Sequence, residues 1–386
     1  MLIIEKKYNT CSLAEIGEKL QICCKSDMMG SLYQTEGSYR MTKKLNSIDI
    51  AKLAGVSRST VSRVINGYAN VPEETRARVM KVINEHGYYP LLSGQLLVGK
   101  RTGTLGFFWV SNGPIANDIQ CSAFFVHVTE AAAKLGYLVL TCIVNNLKEE
   151  KNIEWIKRIF MQGRIDAGIF IGVNNNEPLI EDLLSRGKIV GIFDHFQPDL
   201  NEPNRLSVNF EVDTGEKVID YVCSLGHRKI AVIDGNMNRF CSVKRHEGYI
   251  KGLQVHNIDI RREWMYYGDV TVNGGYAAAR QLIANCGELP TVICANNDSA
   301  AFGVYKALEE ANIKIPDQIS VVGIDGHEGA KLVHPMLTSF AFDFEKIFTS
   351  LVTRTLAVVE KQENVPLTEF FPSRLVERES CRRIDG

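Results

Sequence analysis

Arg58, Ser59, Thr60, Ser62 and Arg63 lie on one side of a short segment whose other side is Val61, Val64 and Ile65. The polar side has no carboxylate and is rich in donors suited to phosphate oxygens and base edges. A second group of polar residues follows short apolar runs much later in the chain: Asp194, the trio Asn296, Asn297 and Asp298, and Asp325. Arg245 opens a helical stretch in the same region. Carboxylates, amides and a guanidinium at strand ends suit a hydroxyl-rich small ligand. Asp and Asn at strand ends also cap helices, so each of them singly has a structural reading as well.

The first group must be positioned by two short helices. Asn46 to Asn66 reads NSIDIAKLAGVSRSTVSRVIN. Ile48, Ala51, Leu53 and Ala54 supply the apolar positions of the first helix, with small Ala51 at a close helix approach. Gly55 makes a turn that a Cβ would strain. Ser57 caps the second helix. The pattern is that of a helix-turn-helix whose second helix enters the DNA major groove. Val71-Pro72-Glu73-Glu74-Thr75 opens a third helix, with Thr75, Val79, Val82 and Ile83 inward and a stop near Gly87 and Pro90. Between Met41 and Arg101 there are ten lysines and arginines against four acids, in a chain whose net charge is −1. A local basic excess of this kind is a footprint of phosphate contact.

At 386 residues the chain suits two or three domains. No apolar run reaches membrane-spanning length, and the charged N-terminus does not read as a secretory signal. The ten cysteines are scattered without a paired C-x-x-C, consistent with reduced thiols in a cytoplasm and not with a metal framework. No cofactor is implied. Residues 1 to 45 form an extension with no evident core partner. Met41 is a natural beginning for a DNA-binding protein, and the expectation is that the functional protein starts there or nearby.

From Gly103 onward, short apolar runs alternate with helical stretches. Strands are expected at Thr104–Val110, Tyr137–Val144, Ala167–Val173, Ile189–Asp194 and Arg205–Val208. A second series is expected at Lys229–Asp234, Met265–Gly268, Val292–Ala295 and Ile319–Ile324. Such alternation predicts parallel sheets with helices on both faces, divided between two α/β lobes, with ligands bound beyond the strands' carboxyl ends. Dinucleotide-binding and P-loop glycine motifs, a G-x-S-x-G elbow and H-E-x-x-H are all absent. An enzymatic reading rests only on acids at strand ends acting as acid and base, and the expectation is that the chain is not an enzyme.

From about Asn46 to Arg378 the chain resembles the lactose/galactose repressor (LacI/GalR) family of bacterial transcription regulators. The matching motifs are DIAKLAGVSRSTVSRVING, VPEETRARV, GYYP, LGHRKIAVI, the Arg245-x-x-Gly248-Tyr249 unit, ANNDSAAFGV, IPDQISVVGID and HPMLTSF, in family order and spacing. The resemblance implies an all-α helix-turn-helix head and a two-lobed periplasmic-binding-protein-like domain with two doubly wound parallel sheets. Its divisions would be a head over 46–90, a hinge over 91–101 and an effector-binding and dimerisation domain over 102–386. The first lobe would comprise about 102–207 and 342–361, the second about 208–341 and 362–382. Arg58 and Ser59 stand at the start of the recognition helix, where the family reads operator bases, and Ser57, its cap, belongs to the same DNA-binding set. Thr60, Ser62, Arg63 and Asn66 would contact phosphate or further bases, and Leu97 matches the family leucine that enters the minor groove. Arg245, Asn297, Asp325, Asp194 and Phe344 fall at positions lining the family's effector cleft, with Trp109 and Val110 in its floor.

The chain departs from the family at Gly94, where alanine is usual in the hinge helix, and at Val270, where several sugar-binding members carry an aromatic. The resemblance implies a cytoplasmic homodimer that binds a pseudo-palindromic double-stranded operator, with affinity set by a small molecule, a carbohydrate being the expected class. The alternatives are a regulator controlled mainly by a partner protein and a non-regulatory sugar-binding α/β protein.

Overall fold

The computed structural model describes residues 45–89, 101–111, 119–195, 202–285 and 287–384. The extension through residue 44 and the hinge over 91–100, with Leu97, lie outside the described residues.

The first unit has three helices: α1 (Ser47–Ala54), α2 (Arg58–Ile65) and α3 (Glu73–Glu85). Asn46 starts α1 through a capping box. Its side chain accepts from the N–H groups of Ile48 at 2.8 Å and Asp49 at 3.1 Å, and Asp49 accepts in return from the Asn46 N–H at 3.0 Å. Gly55 ends α1 at φ 64, a left-handed conformation that a side chain disfavours. The core is Ile50, Ala51, Ala54, Val61, Val64, Val71, Val79 and Ile83. This corrects the reading of α1. Ile48 and Leu53 are about half exposed, because at about 100° per residue Ile48 lies across the helix from Ile50 and Leu53 across from Ala51, so the buried stripe is Ile50, Ala51 and Ala54.

The second unit contains two six-stranded sheets. The first holds β1 (Thr104–Val110), β2 (Leu138–Val144), β3 (Ala167–Ile171), β4 (Val190–Phe193), β5 (Arg205–Phe210) and β11 (Thr368–Phe371), in the order β11-β5-β4-β3-β1-β2 and all parallel. The second holds β6 (Ile230–Asp234), β7 (Met265–Tyr267), β8 (Val292–Ala295), β9 (Ser320–Asp325), β10 (Thr338–Ala341) and β12 (Arg374–Val376), in the order β12-β10-β9-β8-β6-β7. It is parallel except that β12 runs antiparallel to β10. The central strands are buried on both faces, as parallel strands covered by helices must be. Successive residues of β6 show the division: Val232 faces the core common to both lobes, while Ala231 and Ile233 pack on the opposite side.

Helices cover these faces: α4 (Ile119–Lys134), α5 (Glu150–Met161), α6 (Pro178–Ser185), α7 (Thr214–Ser224), α8 (Phe240–Val255), α9 (Val272–Asn285), α10 (Asp298–Glu310) and α11 (Phe344–Val359). The chain passes between lobes after β5, after β10 and after β11. Two expected boundaries fail accordingly. β5 continues to Phe210, so 207 does not end the first lobe, and Thr368–Phe371, expected in the second lobe, pairs with β5 in the first. β10, β11 and β12 were not expected, because Thr338, Ser339, Glu369 and Arg374 deprive them of the continuous apolar run that marks equally short β4, β7 and β8. Gly172, at φ 85 beyond β3, lets the ends of β1 and β3 approach. A Cβ there would stand 2.0 Å from the Val110 carbonyl oxygen.

Candidate DNA-binding surface and interlobe cleft

The α2 surface is built on Ser57. Its hydroxyl accepts from the Thr60 N–H at 3.1 Å and lies 2.7 Å from Ser59 Oγ and 2.9 Å from Thr60 Oγ1. Ser57 is therefore first a helix cap, and its hydroxyl is already engaged. Arg58, Ser59, Ser62 and Arg63 are exposed, while Thr60 and Asn66 are half-buried. Arg58 Nε donates to Ser47 Oγ at 3.2 Å, tying the start of α2 to the start of α1. Asn66 Nδ2 donates to Ser62 Oγ at 3.2 Å. Arg76, absent from the expected set, donates to the Tyr68 carbonyl at 2.6 Å and pins the loop beyond α2. The result is an acid-free ridge of exposed donors on a helix fixed at both ends.

In the two-lobed unit, Asp194, Arg245, Asp325 and Phe344 converge. Arg245, on α8, is 4% exposed. Its Nη2 donates to Asp325 Oδ1 at 3.0 Å and its Nη1 to the Asn296 carbonyl at 2.6 Å. Its guanidinium lies 4.9 Å from the centre of the Phe210 ring and 5.9 Å from that of Phe342, within cation–π range. Burial opposes the charge on Arg245, and the Asp325 carboxylate more than restores it, so its pKa is raised. Asp194 is completely buried at the end of β4. It accepts from Arg239 Nη2 at 2.8 Å and from the Cys241 N–H at 2.7 Å, at the start of α8 in the other lobe. Asp194 at φ 62 and Asp325 at φ 112 both hold left-handed backbones, an unusual conformation that clusters at ligand clamps and active sites.

The apolar wall is aromatic. Phe344 packs on Phe124 with ring centres 4.6 Å apart and stands 6.1 Å from Phe210 and 6.4 Å from Phe342. Trp109 is buried and stacks on Phe124 and Phe125 at 5.8 and 5.3 Å. Phe124 links it to Phe344. Val110 is half-buried at the end of β1. Asn297 is a helix cap. Its side chain accepts from the Ala300 N–H at 2.9 Å and donates to the Val270 carbonyl at 2.9 Å. Next to it, Asn296 Nδ2, Ser242 Oγ and Arg245 Nε are buried without a partner among the described residues, so this corner keeps hydrogen-bonding capacity that Asn297 has used. The sequence reading missed Arg239, Phe210, Phe342 and Phe124. The run Ser339-Phe340-Ala341-Phe342-Asp343-Phe344 was the available signal for part of the wall. Among the described residues no cluster has metal-ligand composition, and no helix is long and apolar enough to cross a membrane.

Comparison with known proteins gives two family matches. Residues 48–90 match the bacterial regulatory proteins of the lacI family, and residues 219–381 match the periplasmic binding protein-like domain. The chain is 30% identical over 344 residues to the HTH-type transcriptional repressor PurR of Yersinia enterocolitica, spanning 86% of this chain and 95% of that one. It is 30% identical over 347 residues to PurR of Photorhabdus laumondii, spanning 88% and 96%. Among solved structures, the Lac repressor dimer bound to operator and the anti-inducer ONPF matches with a TM-score of 0.74 and 25% identity, over 88% of this chain and all of that one. The transcriptional regulator CelR–cellobiose complex has the same fold, with a TM-score of 0.67 and 23% identity over 87% of this chain and 99% of the other. These relatives are transcriptional repressors and regulators, not enzymes.

Proposed function

The chain belongs to the LacI family of bacterial regulatory proteins, and on that premise we propose that it is a cytoplasmic, homodimeric repressor switched by a small molecule bound between its lobes. It is a DNA-binding transcription regulator, and its work is binding and switching rather than catalysis. Two copies of the exposed α2 face would read the two halves of a pseudo-palindromic operator, with half-site spacing set by the dimer. Arg58 and Ser59 would discriminate bases. Thr60, Ser62, Arg63 and Asn66 would hold phosphate or flanking bases, and Leu97 would enter the minor groove.

The observation that carries the effector reading is the Arg245 guanidinium, held between Asp325 and the Phe210 and Phe342 rings where the two lobes meet. A fork of donors beside an acceptor suits vicinal hydroxyls, and the aromatic wall suits the apolar face of a sugar ring. We therefore propose a carbohydrate effector, contacted by Arg245, Asp325 and Phe344, with Asp194, Trp109 and Val110 shaping the site and Asn297 supporting it as a cap. The ligand would act by differential affinity for two lobe arrangements, of which one suits the operator. A thermal-shift screen of the full chain against monosaccharides, disaccharides and nucleosides tests this reading. Stabilisation by one sugar class, abolished in Arg245→Ala, is expected, whereas stabilisation by nucleosides alone would reject a carbohydrate effector.

A further inference from the structure

A surface cavity of about 390 Å³ lies away from the cleft, lined by His246, Ile250, Ile260, Arg262, Met265 and Tyr267. Its volume falls within the range of small-molecule sites. One wall is β7, the outermost strand of the second sheet. The other is α8, where His246 and Ile250 stand one turn apart on the same face. Arg245 is adjacent in sequence to His246, but consecutive helical residues do not share a face. Arg245 is buried toward Asp325 while His246 lines the outer cavity.

The lining sorts into two chemistries. Ile250, Ile260, Met265 and Tyr267 give an apolar surface, and Tyr267 is 62% exposed at its lip. His246 and Arg262 supply the polar groups, and no carboxylate lines the cavity. Asp234, buried at the end of β6, holds His246 Nδ1 at 2.7 Å. That bond fixes the ring and leaves Nε2 as its remaining hydrogen-bonding atom. The Arg262 guanidinium has no ion pair or hydrogen bond among the described residues, so its planar fork stands unengaged beside an apolar floor. A fork of this kind matches a carboxylate through two parallel bonds, and the apolar floor with Tyr267 matches a flat hydrocarbon body.

We propose that this cavity is a second small-molecule site that binds an aromatic carboxylate, with Arg262 on the carboxylate and Met265 and Tyr267 on the ring. The test is calorimetric titration of the full chain with benzoate, using benzamide as the isosteric neutral control. Saturable benzoate binding is expected, with benzamide binding at least about tenfold more weakly because it cannot form the charged pair. Arg262→Ala and Tyr267→Ala alter exposed side chains, so both should keep the wild-type melting temperature, and each should weaken benzoate about tenfold. Absence of saturable binding up to about 10 mM benzoate would overturn the proposal. So would equal affinity for benzamide, or unchanged benzoate affinity in both variants. None of these readouts depends on operator binding or on the interlobe effector.

Discussion

Asp194, at the end of β4 in the first lobe, is bound to Arg239, just before α8 in the second, through Nε at 3.2 Å and Nη2 at 2.8 Å. The same carboxylate accepts from the Cys241 N–H, so it caps a helix of the opposite lobe. A second crossing bond joins the Asn175 N–H to the Asn238 carbonyl at 2.9 Å. Asp194 is thus a latch between lobes as well as a resident of the cleft. Arg239→Leu leaves its carboxylate buried with one lost partner, a change that costs on the order of 3 kcal/mol. Urea denaturation should record a loss of that size. A loss under about 0.5 kcal/mol, ordinary for a surface substitution, would show that the latch contributes little.

The α2 face should divide by function. Arg58→Ala and Ser59→Ala are expected to change which operator bases are preferred, each lost base contact costing about 1–3 kcal/mol. Arg63→Ala should weaken all sequences alike and reduce the salt dependence of binding by about one unit. Binding-site selection and salt titrations separate these outcomes. An unaltered selection profile in the Arg58/Ser59 double variant would refute the assignment.

Ser57 should behave as a cap more than as a base reader. Ser57→Ala removes the acceptor for the Thr60 N–H and should destabilise the head by about 1 kcal/mol. Its operator preference should stay that of the wild type. A shifted preference without loss of thermal stability would reverse that order.

Arg245→Ala should leave operator binding intact and abolish the effector response, since its side chain lies in the proposed cleft and far along the chain from the α2 ridge. Electrophoretic mobility shift with and without the effector found in the thermal screen measures both. A variant that still responds normally would exclude Arg245 from the site.

Asp298 gives a pH signature. It is buried at the first turn of α10, where it accepts from Ser339 Oγ and from the His327 N–H. Burial, and then the nearby Asp325, push it up from 3.8 to about 7. The folded protein therefore holds a proton that the unfolded chain releases near pH 4. The associated stability is fully present below the unfolded value, declines between about pH 4 and 7, and is lost as pH rises through 7. Asp298→Asn keeps an acceptor for Ser339 and removes the proton, so its stability should be flatter than wild type between pH 5 and 8. Parallel pH profiles in the two proteins would place the titration elsewhere.

The head was legible in the sequence because its determinants are local. Gly55 at the turn, Ser57 at the cap and the Val61/Val64 stripe each act within a few residues, and a short helix allows few other arrangements. Even there, Ile48 and Leu53 were misjudged, since in eight residues two different apolar sets share Ala51 and Ala54, and only packing against α2 and α3 selects the stripe with Ile50. The central strands were legible for a similar reason: strands covered on both faces must be continuously apolar. The strands β10, β11 and β12 were not, because Thr338, Ser339, Glu369 and Arg374 break the apolar run and only pairing with distant strands reveals them. Asp194 and Asp325 could be named from their strand-end positions, whereas Arg245, expected to open its helix, lies in the second turn of α8. Tertiary structure alone decided that Asp325 faces Arg245, that Asp194 faces Arg239, and that Asn297 is occupied as a cap. Each of these pairings depends on which strand ends two sheets bring together and on where the crossings after β5, β10 and β11 set the lobes. That geometry comes from long-range packing, which no local spacing encodes.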